Sequence, residues 1–185
     1  MRTIEQMDRH LRCRHLIPER YRAVWLAEGM ATFGLWNLSG QLVGFQEYRP
    51  DKGKVRSHDV SRAHVRFNPH DQRYFTKITP GAVAVWGLET YVYGRELFVT
   101  EGIFDAARLH RLNLPAVAVL TRAPEHLRSW FKGLGCPLTT VIDGDGPGES
   151  LAAFGDLVAR MPDGQDASSA PLPSLIHALS NRKKP

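Results

Sequence analysis

Cysteine is nearly absent: the 185 residues hold two, Cys13 and Cys136. Two thiols so far apart cannot supply the two close ligand pairs of a zinc ribbon, so no zinc site is expected. A disulfide between them is the alternative, disfavoured in a reducing compartment, and both read as ordinary thiols. Long apolar runs are missing too. No stretch reaches the roughly 18 apolar residues of a membrane span. Met1 to Arg14 is charged throughout and lacks the apolar stretch of a secretion signal. These absences argue against a membrane partner and lead us to expect a soluble, cytoplasmic protein. There is no internal repeat and no low-complexity tract, and Ser150 has no accompanying His–Asp pattern for nucleophilic catalysis.

Acidic charge is short in the first part of the chain. Residues 1–80 carry 14 Lys/Arg against 8 Asp/Glu, and residues 81–185 carry 10 against 11. The whole net excess of +5 therefore belongs to the N-terminal part. A basic surface favours a polyanion such as DNA or RNA; a solvated basic face is the plainer alternative. The stretch from Arg49 to Lys77 holds 8 Lys/Arg against 3 Asp, together with Phe67, Tyr74 and Phe75. Basic residues interleaved with aromatics suit a single-stranded nucleic-acid groove, or equally an exposed loop anchored by its rings. His58, His64 and His70 recur at a six-residue spacing that fits no metal site on a regular element, so they read as surface histidines. Trp25, Trp36, Trp86 and Trp130 read as core.

What is present is a change of period. Thr3 and Gln6 form a capping box that opens a helix. Pro18 opens a second predicted helix running through Ala27. Ala31–Trp36 and Gln41–Tyr48 are strand-like runs joined by Asn37-Leu38-Ser39-Gly40, an antiparallel hairpin. Arg49 to Lys77 reads as irregular. From Ala82 the pattern becomes βαβα: strands over Ala82–Val85, Leu97–Thr100, Ala116–Leu120 and Thr139–Ile142, helices over Ile103–Leu112, Pro124–Leu134 and Pro147–Met161. Alternating strands and helices predict a mostly parallel sheet with helices on its faces. We divide the chain into a basic α+β subdomain (1–94), an α/β domain (95–168) and a C-terminal helix ending in a disordered basic tail (169–185).

In such sheets, ligands bind beyond the carboxyl ends of the strands. Two strands end there on acid: Val99-Thr100-Glu101-Gly102 and Val141-Ile142-Asp143-Gly144-Asp145-Gly146. Parallel pairing would bring Glu101, Asp143 and Asp145 to one edge. Crowded carboxylates repel one another unless a cation neutralises them. All-oxygen ligation with retained water suits Mg²⁺ or Mn²⁺, which would bind phosphate oxygens during phosphoryl transfer. A polar turn is the alternative for the Asp-Gly-Asp-Gly run taken alone.

Glu101-Gly102-Ile103-Phe104-Asp105-Ala106 followed about 40 residues later by Asp143-Gly144-Asp145-Gly146-Pro147-Gly148 resembles the two signature motifs of the Toprim domain. That domain is shared by bacterial-type DNA primases, topoisomerases, recombination mediators and a group of nucleases. Gly40-Gln41-Leu42-Val43-Gly44-Phe45, Arg73-Tyr74-Phe75-Thr76-Lys77, Val85-Trp86-Gly87-Leu88 and Met161-Pro162-Asp163-Gly164-Gln165-Asp166 resemble segments around the primase Toprim core. The likeness spans about residues 30–168 and points to the primase branch. It implies a catalytic role for Glu101 in acid–base or metal chemistry. It also implies metal binding by Asp143, Asp145 and Glu101, with Asp105 and Asp166 in support. Lys54, Arg56, Arg62, Arg66, Arg73 and Lys77 would line a groove for the template strand. Single-stranded DNA, NTPs and a replicative helicase or other replication protein are the implied partners.

The chain departs from the primase pattern in carrying no zinc-binding module and no helicase-contacting region. Ser168 stands where a second Asp is usual, and Leu120-Thr121 where a Gly is usual. A compact core of this kind suits a phage or mobile-element protein. Three functions follow from the resemblance: a primase-like nucleotidyltransferase, a Toprim nuclease, or a nucleic-acid-binding module without turnover.

Overall fold

A computed structural model describes residues 1–53, 68–121, 124–144 and 149–185. Helix α1 spans Ile4–Cys13. Its start is the expected capping box: the Gln6 N–H donates to Thr3 Oγ1 at 3.3 Å, and the Thr3 N–H donates to Gln6 Oε1 at 2.9 Å. Met7 and Leu11, one turn apart, bury the inner face of α1 against the first strand.

Four antiparallel strands follow, in the order β1 (Val24–Ala27), β2 (Met30–Trp36), β3 (Leu42–Tyr48) and β4 (Tyr74–Ile78). The β2–β3 hairpin is the one expected, closed by the Asn37–Gly40 turn. Three expectations here are corrected. Pro18 opens a single 3₁₀ turn, Pro18–Arg20, and Val24–Ala27 is a strand. Helical propensity yields to pairing with β2, from Val24 opposite Phe33 to Ala27 opposite Met30. Gly29, at φ 68°, makes the reversal between them. Trp25 on this edge strand is 51% exposed, so it is not a core residue. Likewise Tyr74–Ile78 is a strand, paired with β3, within a stretch read as irregular.

The second sheet is parallel, in the order β6-β5-β7-β8. Its strands are β5 (Leu97–Thr100), β6 (Ala116–Ala118), β7 (Leu138–Ile142) and β8 (Leu157–Arg160). Helices α2 (Ile103–Arg111), α3 (Arg128–Lys132), α4 (Glu149–Ala152) and α5 (Leu172–Ser180) flank it. Every residue of β5 and β7 is buried, as expected for strands covered on both faces. The fold class is the expected one: a mostly parallel sheet with flanking helices, preceded by an antiparallel sheet with its own helix.

Three further expectations are corrected. The segment read as one helix over Pro147–Met161 holds the short α4 and then β8, which pairs with β7 from Thr139–Leu157 to Ile142–Arg160. Apolar spacing in this short stretch does not separate helix from buried strand, and sheet pairing decides. Ala82–Val85 is not a strand. Val85 and Trp86 instead make single bridges, Val85 to Trp36 of the first sheet and Trp86 to Ala118 of the second. The C-terminal tail is also ordered: Lys183 bridges Val158, and the Arg182 Nε lies 3.1 Å from the Glu96 carboxylate.

One apolar cluster joins the two sheets. Phe33 and Tyr48 of the first sheet meet Phe104 of α2 edge-on, with ring centroids 6.2 and 4.9 Å away. Each such buried ring is worth about 2–3 kcal/mol, so α2 is anchored from both sides. A second cluster, including Val99, Phe131, Ile142 and Leu151, fills the opposite face of the parallel sheet. Both cysteines are free thiols. Among the described residues no helix is long and apolar enough to cross a membrane.

Candidate carboxylate site

The strand order makes the site. The chain leaves β5 for β6 on one side, then crosses to β7 on the other. The crevice beyond the carboxyl ends of β5 and β7 is therefore a topological switch point. Glu101 follows β5 and Asp143 follows β7, which pair in register from Leu97–Leu138 to Val99–Thr140. Asp105 is one turn further along α2. Asp166 lies beyond β8, brought back by a turn in which the Gln165 carbonyl accepts the Gly144 N–H at 3.1 Å. Glycine is required at 144: a Cβ there would lie 2.0 Å from the Pro162 carbonyl oxygen.

Glu101, Asp105, Asp143 and Asp166 line one cavity of about 330 Å³ with Tyr74, Thr76, Leu120 and Ser168. Asp145 lies outside the described residues, as do Lys54, Arg56, Arg62, Arg66, His58, His64 and Phe67. Arg73 is described, and its Nε donates to the Lys52 carbonyl at 2.8 Å. Lys77 is exposed on β4, beside Phe75 on the face opposite Tyr74 and Thr76, so it points away from the carboxylate cavity.

The four carboxylates are not equivalent. Burial, then the charges of Asp143 and Asp166, push Asp105 up to about 7; a 2.9 Å hydrogen bond from the Ser168 N–H and the charge of Arg14 oppose the rise. Asp166 goes the other way. Its burial alone would raise it, but the Ser169 and Ser168 donors outweigh that and hold it below its ordinary value. Its Oδ1 accepts the Ser169 N–H and Oγ at 2.7 Å each, and the Ser168 Oγ at 2.8 Å. Ser168 thus ties Asp166 to Asp105.

One residue at the site had no signal in the sequence. Arg14 caps the C-terminus of α1 and reaches across the molecule. Its Nη2 donates to Ser168 Oγ at 3.1 Å, and its guanidinium stands 4.0 Å from the centre of the Phe104 ring. It is the cavity's basic residue among those described. Leu120 has φ 60°, a left-handed backbone that ordinarily favours glycine. Its N–H donates to the Glu101 carbonyl at 2.9 Å, pinning the end of β5.

The donor set fits a hard divalent cation. It is all oxygen, and the repulsion that adds to burial in raising Asp105 is what such a cation relieves. Among the described residues no three His, Cys, Asp or Glu are grouped closely enough to hold a metal alone. Mg²⁺ does not need such a cage, since it commonly takes one or two carboxylates plus substrate phosphates and water.

The fold, a parallel sheet with flanking helices preceded by an antiparallel sheet, is similar to that of DNA primase catalytic cores. A DNA primase domain from Pseudomonas aeruginosa superimposes with a TM-score of 0.58 at 19% identity, covering 98% of this chain and 60% of that one. The RNA polymerase domain of the Mycobacterium tuberculosis primase DnaG, solved with double-stranded DNA, gives 0.57 at 21% identity, covering 84% and 54%. The primase fragment of the bacteriophage T7 primase-helicase protein gives 0.58 at 15% identity, covering 82% and 61%. The chain thus spans under two thirds of each of these structures. No family model matches the sequence, and no curated protein matches it.

Proposed function

We propose that the chain is a primase-like nucleotidyltransferase that joins ribonucleotides on single-stranded DNA in DNA replication. The observation that carries this reading is the four-carboxylate cavity at the switch point of a primase-type fold. Residues 95–168 would carry the chemistry and the basic subdomain, 1–94, the template. Asp143, Asp145 and Asp166 would hold Mg²⁺ or Mn²⁺ with the nucleotide phosphates. A cation bound there would neutralise charge on the transferring phosphoryl group. Glu101 would accept the proton of the attacking 3′-hydroxyl, whose oxygen bonds to the α-phosphorus as pyrophosphate leaves. Asp105 would stay largely protonated below about pH 7 until a cation offsets its neighbours. A replicative helicase or another replication protein is the fitting macromolecular partner.

Arg14 favours a second reading. A guanidinium beside the acidic cavity offsets part of its charge without a cation, as a module that binds nucleic acid without turnover would need. One experiment separates these readings. The protein is incubated with single-stranded DNA, labelled NTPs and Mg²⁺ or Mn²⁺. Short template-complementary RNA supports the primase. Intact, bound DNA without product supports the module, and metal-dependent cleavage without NTPs supports a nuclease.

A further inference from the structure

A second cavity, of about 470 Å³, opens at the opposite end of the parallel sheet from the carboxylates. Arg95 precedes β5 where Glu101 follows it, and Pro115 precedes β6. Arg20, Arg22 and Arg95 line this cavity against one acid, Glu89. Arg20 is partly committed, donating to the His110 carbonyl at 3.3 Å. The side chains of Arg22 and Arg95 are exposed and make no ion pair among the described residues.

The floor of the cavity is rigid. His110 is 2% exposed, and burial first of all lowers it to about 4, so its ring is neutral. Its Nδ1 lies 2.8 Å from the Tyr21 hydroxyl, and its Nε2 lies 2.9 Å from the Ala116 carbonyl and 3.1 Å from Thr90 Oγ1. The ring packs so close to Gly87 (φ 86°) that a Cβ there would lie 2.9 Å from His110 Cε1. These contacts hold the 3₁₀ turn Leu88–Thr90, the start of β6 and Tyr21 in one frame. In the loop between that turn and β5, Val92 lines the cavity and is 44% exposed, and its neighbour Tyr93 is 83% exposed.

We propose that this face binds single-stranded nucleic acid, with phosphates on Arg22 and Arg95 and a base stacked on Tyr93. Guanidinium groups without internal carboxylate partners suit phosphate oxygens, and a solvent-exposed ring in the same loop, between Val92 and Arg95 of the cavity wall, suits an unpaired base. Duplex DNA buries its base faces and would leave Tyr93 unused. The strand would contact the protein at the end of the sheet remote from the carboxylates, and so independently of any chemistry there.

The test is fluorescence anisotropy of a labelled oligothymidylate across a salt series. Proteins compared are wild type, Arg22→Ala/Arg95→Ala, Tyr93→Ala, and the charge-matched control Arg9→Ala/Lys132→Ala, each checked for fold by circular dichroism. Loss of two phosphate contacts lowers the salt slope by about 1.4, and loss of one stacked base weakens binding about tenfold. The control keeps the wild-type slope. Wild type that does not bind the oligonucleotide overturns the proposal. So does an equal loss in the control, binding indifferent to both variants, or competition at this face by ATP or inorganic phosphate alone. Asp143→Asn and a failed primer assay leave this binding untouched, so the two proposals fail separately.

Discussion

Asp105→Asn tests the electrostatics of the carboxylate cavity most sharply. In the folded chain burial, and then Asp143 and Asp166, lift this carboxyl from an ordinary 3.8 to about 7. Between those values the folded state keeps a proton that the unfolded chain has released. The folded state therefore binds more protons, and stability must fall as pH rises from about 4 to about 7. A shift of about three pH units corresponds to at most about 4 kcal/mol, and solvent in the cavity should trim this to about 2 kcal/mol. Asparagine removes the titration yet keeps an oxygen to accept the Ser168 N–H. Urea unfolding in chelator, at a series of pH values, gives the stability of both proteins. Near pH 8 the variant should be more stable by about 2 kcal/mol, and the two curves should converge below about pH 4. A wild type whose stability does not fall across this window, or a variant less stable than wild type near pH 8, would refute the reasoning.

Other outcomes follow from the same site. Mg²⁺ should raise the melting temperature of wild type near pH 8 by relieving the cavity's repulsion, and Asp143→Asn should lose most of that gain in a thermal-shift titration. Gly144→Ala forces a Cβ against the Pro162 carbonyl at 2.0 Å. It should cost about 2–3 kcal/mol and lower the melting temperature by several degrees, read by calorimetry. Arg14→Met keeps the bulk over Phe104 but removes the charge that lowers Asp105. The carboxyl should rise further, so the acid limb of the pH–rate profile should move to higher pH.

Much of this site was legible because it depends on local sequence. Glu101 and Asp143 announce themselves at the ends of fully buried runs, where hydrophobicity stops abruptly and glycine follows. The parallel pairing of β5 and β7 then brings the acids together without further information. Elements set by distant pairing were not legible. Val24–Ala27 and Leu157–Arg160 are short and bear apolar residues at spacings that a helix also allows. Their strand conformation is imposed by β2 in one case and by β7 and Lys183 in the other. Arg14 was equally hidden, because its partner Ser168 is 154 residues away in sequence. His110 gave no signal for the same reason: its partners Tyr21 and Thr90 come from other parts of the chain. The substitutions Ser168 and Leu120 read as defects in a motif, yet in the structure both have defined roles at the cavity wall.

The most direct test of the account is template-directed incorporation of labelled ribonucleotides by wild type and Asp143→Asn, measured beside their affinities for single-stranded DNA. We expect wild type to make short RNA. The variant should lose at least about 100-fold in rate while its DNA affinity stays within about twofold. Equal incorporation by the two proteins, or none by wild type across Mg²⁺ and Mn²⁺ titrations, would contradict a nucleotidyl-transfer site at these carboxylates.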